Sequence, residues 1–161
     1  VSGDMDSDDG VAEIDAFFAS LVGHQIPGAP HLMRVTDGSY ADTKDALISL
    51  GGTASVASFG TATGTRPDQR RFRLNIMLNT ETPFAENALV GKRVQLGDAE
   101  LRIVAPVGRC AAIDVDPETA VRGPHYLPVM EQAFGHTDLG IFAEILTGGQ
   151  VNTGDNLVVL D

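Results

Sequence analysis

The run RVQL-GD-AELRIVAPV, residues 93–107, constrains the fold more than any other part of this chain. Val94 and Leu96 alternate with polar neighbours, Gly97-Asp98 supplies a two-residue turn, and Leu101, Ile103, Ala105 and Val107 alternate again. Strand side chains point to opposite faces with a period of two, so each run buries one row, and a glycine-led two-residue loop joins the runs as an antiparallel hairpin. A lone hairpin is marginal in water, so further strands must pack with it. In RFRLNIML (71–78), Phe72, Leu74, Ile76 and Leu78 alternate, which predicts a strand with Arg71, Arg73 and Asn75 together on the opposite face. Ala111–Val115, GIFAEIL (140–146) and NLVVL (156–160) read as three more. With 18 glycines and 8 prolines to turn the chain, the expectation is a mainly β fold whose strands close into a β-barrel, with a few short helices.

Those helices have local signals. Val11, Ile14, Phe17, Phe18, Leu21 and Val22 recur at helical spacing, and Gly23 is placed to close a helix over 11–23 in a left-handed conformation. Thr53 is read as the N-cap of a second helix through Ser58, ended by Gly60 and Gly64. A third runs from about Tyr126 to Phe134, with Pro128 in its first turn and Gly135 as its stop. Residues 25–49 have the texture of loop and short strand, and residues 1–10 (VSGDMDSDDG) read as a flexible acidic tail. At 161 residues, one domain over 11–161 accounts for the rest. The sequence opens on Val rather than Met, which is expected of a processed or longer chain; no secretory signal or membrane span is expected, and the expected location is cytoplasmic.

Charge narrows the function classes. Eleven basic against 22 acidic residues give −11, so neither nucleic acid nor an anionic membrane surface is an expected partner. Against that background Arg66, Arg70, Arg71 and Arg73 crowd into eight positions, which reads either as a local anion site or as a solvated positive face. No G-x-S-x-G, Walker or H-E-x-x-H motif occurs, and the four histidines (His24, His31, His125, His136) share no ligand spacing and read as loop or surface residues. Cys110 is the single soft nucleophile or soft-metal ligand; it follows Arg109, whose guanidinium favours the thiolate, and Gly108, where the chain can turn. A single Cys on a strand is otherwise a small buried hydrophobe.

The ordered set RRFRLNI (70–76), PFAE (83–86), GRC (108–110), VDPET (115–119) and GIFAEILTGGQVNTGD (140–155), with ISLGGTASVASF (48–59) upstream, resembles the MOSC domain, named for the C-terminal part of molybdenum cofactor sulfurases. The resemblance implies a barrel like that of the pyruvate kinase barrel domain. It also implies Cys110 as persulfide carrier or molybdenum ligand, with Arg71, Arg73, Asn75, Arg109 and Ser55 as contacts to the molybdenum cofactor (molybdopterin). Three functions follow from it: a sulfur carrier served by a pyridoxal-phosphate cysteine desulfurase or another sulfur donor; a molybdenum-dependent reductase of N-hydroxylated compounds with an electron-transfer partner; or a non-catalytic binding or redox-sensing barrel. No pyridoxal phosphate site is visible in this chain, so that cofactor would belong to the partner. Leu74 stands where the family carries proline, and Ala120 where it carries a turn glycine.

Overall fold

The computed structural model describes residues 2–36 and 45–161. The chain divides into two compact units, Val1–Tyr40 and Ala41–Asp161. The first is built on helix α1 (Asp8–Val22), which starts three residues before Val11 because Ser7 caps it: its Oγ accepts from the Gly10 N–H at 3.1 Å. Asp8 and Asp9 in the first turn meet the positive end of the helix dipole. Gly23 does not take the left-handed conformation expected of it; at φ −57° it stays right-handed, its N–H returning to the Ala19 carbonyl. Phe17, Phe18 and Leu21 of α1 remain exposed. Among the described residues no helix is long and apolar enough to cross a membrane.

The second unit is mainly sheet. Its strands are β1 (Ile48–Gly52), β2 (Ile76–Leu78), β3 (Arg93–Leu96), β4 (Ala99–Gly108), β5 (Asp138–Thr147) and β6 (Leu157–Val159), and its helices α2 (Thr53–Thr63) and α3 (Leu127–Phe134). The six strands form one sheet in the order β2-β1-β5-β4-β3-β6, parallel between β1 and β2 and antiparallel elsewhere. The predicted hairpin is β3–β4, Leu96 facing Ala99 across a turn in which Gly97 sits at φ 56°. A Cβ on Gly97 would also meet the Gln150 carbonyl oxygen at 2.5 Å, so the position admits only glycine.

The expected closure does not occur. Among the described residues β2 and β6 each pair on one side only, leaving an open, curled half-barrel in place of a closed barrel. In residues 69–75 the expected strand is replaced. Gln69–Phe72 is a 3₁₀ turn capped by Asp68, and Arg73 is left-handed at φ 50°, so β2 keeps only three residues. Asn75 joins β1 through its side chain, Oδ1 accepting from the Ser49 N–H at 2.8 Å and from the Ser49 hydroxyl at 2.9 Å. Arg71, Arg73 and Asn75 therefore do not form one strand-face row. The second correction is Ala111–Val115: Ala111–Asp114 is a 3₁₀ turn, held by Asp114, which is buried and accepts from the Tyr126 N–H at 3.1 Å.

Two clusters make the core. Leu50, Val94, Leu96, Leu101, Ile103, Ile141 and Ala143 pack together as the cluster of the sheet. Val56, Phe59, Phe72, Ile113, Tyr126, Met130 and Leu139 pack α2 and α3 against the two 3₁₀ turns. Helix α2 is capped by Gly52 rather than Thr53, and it runs through Gly60 to Thr63 before Gly64 turns left-handed. Gly60 is retained inside the helix because a Cβ there would meet Pro67 Cγ at 2.8 Å. Helix α3 has Pro128 in its first turn and left-handed Gly135 after Phe134.

Candidate functional site

Two segments brought together by the second cluster carry the candidate residues. One is the 3₁₀ turn Gln69–Phe72 with Arg73; the other is the end of β4, Gly108, leading through Arg109 and Cys110 into the turn Ala111–Asp114. Each segment sends an arginine into the other. Arg71, 7% exposed, donates from Nη1 to the Ile113 carbonyl at 2.8 Å and the Val115 carbonyl at 2.9 Å, and from Nη2 to Asp116 at 3.3 Å. Its guanidinium lies 5.4 Å from the centre of the Tyr126 ring. Arg71 is thus an internal strut whose two terminal nitrogens are occupied by protein.

Arg109 reaches back the other way. Its backbone N–H donates to the Thr137 carbonyl at 3.0 Å and its Nη1 to the Phe72 carbonyl at 2.8 Å. Its Nε and Nη2 are buried with no hydrogen-bond partner among the described residues. Burial pushes the Arg109 guanidinium down to about 10, opposed by the neighbouring Cys110 sulfur and the Asp138 carboxylate. Donors held ready and unpaired in a half-buried cation cost stability, and an anion at this corner would satisfy them. Cys110 is exposed and opens the 3₁₀ turn, its carbonyl accepting from the Ile113 N–H at 3.2 Å. It is not the buried hydrophobe that a lone strand cysteine usually is.

Arg73 is exposed, left-handed and without any ion-pair or hydrogen-bond partner for its side chain among the described residues. It lines a cavity of about 1220 Å³ bounded by both sheet edges: Asn75–Leu78 on one side, Val151–Leu157 on the other, with Leu89 and Leu96 as apolar lining. Asn75 joins Arg73 there, but Cys110, Arg109 and Ser55 are not among its lining residues. Ser55 is fully buried: its hydroxyl donates to Glu86 Oε1 at 2.7 Å and accepts from the Phe84 N–H at 2.8 Å. Its bonds are internal.

Sequence reasoning passed over two acids. Glu86 is 1% exposed, takes the Gly52 N–H at 3.0 Å as well as Ser55, and leaves Oε2 unpaired. Asp114 is equally buried. The PFAE run contained the only signal for Glu86; nothing local marked Asp114.

A profile of the MOSC domain family matches residues 37–158. The chain belongs to the MOSC domain family. A curated relative, the molybdenum cofactor sulfurase of Danio rerio, is 34% identical over 53 residues, which is 33% of this chain and 6% of that protein. The chain thus spans a small part of the length of the relative it matches. Within this MOSC domain, the exposed thiol and the unpaired guanidinium nitrogens come from adjacent residues, Cys110 and Arg109.

Proposed function

We propose that this MOSC domain handles sulfur for the molybdenum cofactor, with Cys110 as the sulfur-carrying residue. The observation that carries the reading is the exposed thiol beside a guanidinium with two unpaired, buried nitrogens. An anionic sulfur is an acceptor that the unpaired guanidinium nitrogens of Arg109 suit. A cysteine desulfurase, or another persulfide donor, supplies the sulfur in this reading. The molybdenum cofactor is the acceptor, hence a substrate of the domain.

The residues present also fit the cofactor as a bound group. Unpaired Arg73 and the free nitrogens of Arg109 suit phosphate and pterin acceptors, and the soft Cys110 sulfur suits molybdenum. A bound molybdenum centre would supply two-electron redox chemistry, the basis of the second reading, a reductase of N-hydroxylated compounds working with an electron donor. Arg71 and Ser55 contribute to neither reading as ligand contacts, since both are committed inside the fold.

The test is intact mass after incubation with a cysteine desulfurase and free cysteine. One added sulfur on the parent, removed by a reducing thiol and lost in Cys110→Ala, is expected. No added sulfur on the parent, together with molybdenum co-purifying from a cofactor-producing host, would replace the carrier reading with the reductase.

A further inference from the structure

We infer that the free edge of β6 is a docking site for an extended, apolar segment of a partner protein flanked by basic residues, which joins the sheet as a further strand. The inference stands apart from the sulfur-carrier reading. In the antiparallel pair β3–β6, Val159 faces Val94, and the Leu160 N–H donates to the Arg93 carbonyl at 2.9 Å. Backbone groups alternate in direction along such a pair. Val158 and Leu160 therefore spend theirs on β3, while the N–H and C=O of Leu157 and Val159 point to the open side. Among the described residues no strand pairs there.

The two open edges of the sheet differ. β2 is half-buried at all three residues, whereas Val158 is 54% exposed, Val159 43% and Leu160 45%. Edge strands are commonly blunted by lysine, proline or a bulge, and NLVVL has none of these. The space beside the edge is open as well: the cavity of about 1220 Å³ reaches Leu157, with Leu89 and Leu96 in its lining. The residue of an added strand opposite Leu157 shares its face, so an apolar side chain there meets this lining.

Charge selects the occupant. Asp155 precedes the strand and makes no ion pair among the described residues. Asp161 follows it and shares Arg93 with Glu100, which leaves negative charge in excess. Both ends of the edge are acidic, in a chain of net charge −11. A second copy fits poorly: pairing β6 with itself about Val158 sets Asp155 opposite Asp161 of the other copy, like against like. A segment with lysine or arginine at each end of an apolar stretch is complementary at both, and main-chain bonds to the open edge supply the rest.

The probe is a blocked, fluorescein-labelled peptide of sequence KTVTVTK. Its lysines are spaced as Asp155 and Asp161 are, and its valines fall opposite Leu157 and Val159. Anisotropy titration with the full chain is expected to saturate. Affinity is expected to fall by about tenfold or more for ETVTVTE, and for KTVTVTK methylated on both valine nitrogens, which removes the donors to β6 without changing charge. Val159→Pro removes an outward N–H and no bond to β3, so it should weaken binding to a similar degree at an unchanged thermal midpoint. If that variant misfolds, the methylated peptide against the parent decides alone. No saturation, equal binding of the acidic and basic peptides, or indifference to methylation overturns the inference. So does a parent that dimerises through this edge and is split by Val159→Pro, because the occupant is then a second copy.

Discussion

Arg71 and Arg109 bind the same two segments from opposite sides, and they are treated differently. Arg71 places Nη1 on two carbonyls and Nη2 on Asp116, and only its Nε lacks a partner. The Arg109 guanidinium makes one hydrogen bond, to the Phe72 carbonyl, and leaves Nε and Nη2 buried and unpaired among the described residues. Both are struts across one junction, but only one is used up by it. A guanidinium kept for stability spends its donors inside the protein; one with donors in reserve next to an exposed thiol is placed for an anion that arrives later. The contrast separates scaffold from site among residues that look alike in the sequence.

The largest expected effect breaks the scaffold side of this contrast. Arg71→Met leaves the carbonyls of Ile113 and Val115 without donors, and removing one side of a buried polar network costs about 3 kcal/mol. For a chain of this size that lowers the thermal midpoint by roughly 6–12 °C, readable by circular dichroism. Arg109→Met is expected to stay within about 1 kcal/mol of the parent, because the desolvated cation and its two unpaired donors disappear together with the single bond to Phe72. A loss as large as that of Arg71→Met would put both arginines in the scaffold.

A smaller gain is expected at Ala120, which sits at φ 57° in the turn after Asp116. The left-handed conformation costs a non-glycine residue about 1–2 kcal/mol, part of which glycine gives back in the unfolded chain. Ala120→Gly should therefore raise stability by about 0.5 kcal/mol in denaturant unfolding, and a loss there would mean the methyl packs usefully.

The smallest effect is on pH. Asp116 is held below the ordinary carboxylate range, first by the backbone N–H groups of Thr119 and Glu118 and less by the charge of Arg71. A depressed carboxylate stabilises the fold fully above its unfolded value, near 4, and the stabilisation is lost as pH falls through the lower folded value. Asp116→Asn should lose that contribution at pH 7 and flatten the acid limb below about pH 4, so that parent and variant differ at neutral pH and converge as pH falls.

The hairpin β3–β4 and the long strand β5 were legible because alternation and a glycine turn are local signals. Residues 69–75 and 111–115 were not, because their conformation is set by bonds between distant positions. Arg71 turns inward to reach carbonyls 42 and 44 residues away, and no period-two pattern records that. Whether the two edge strands β2 and β6 meet is likewise a matter of long-range pairing that no local pattern records. At the site, Cys110 and the arginines could be picked out because thiols and cations are scarce in this acidic chain. Glu86 and Asp114 could not, being two of 22 acids distinguished only by burial.

The most direct test of the account is the rate at which Cys110 gains sulfur from a persulfide donor in the parent and in Arg109→Met, both shown to be folded. Each charge-assisted bond lost from an anionic sulfur is worth about 1.5–3 kcal/mol, so the account predicts uptake roughly ten- to hundredfold slower in the variant, at an unchanged thermal midpoint. Equal rates, or sulfur found anywhere other than Cys110, would contradict it.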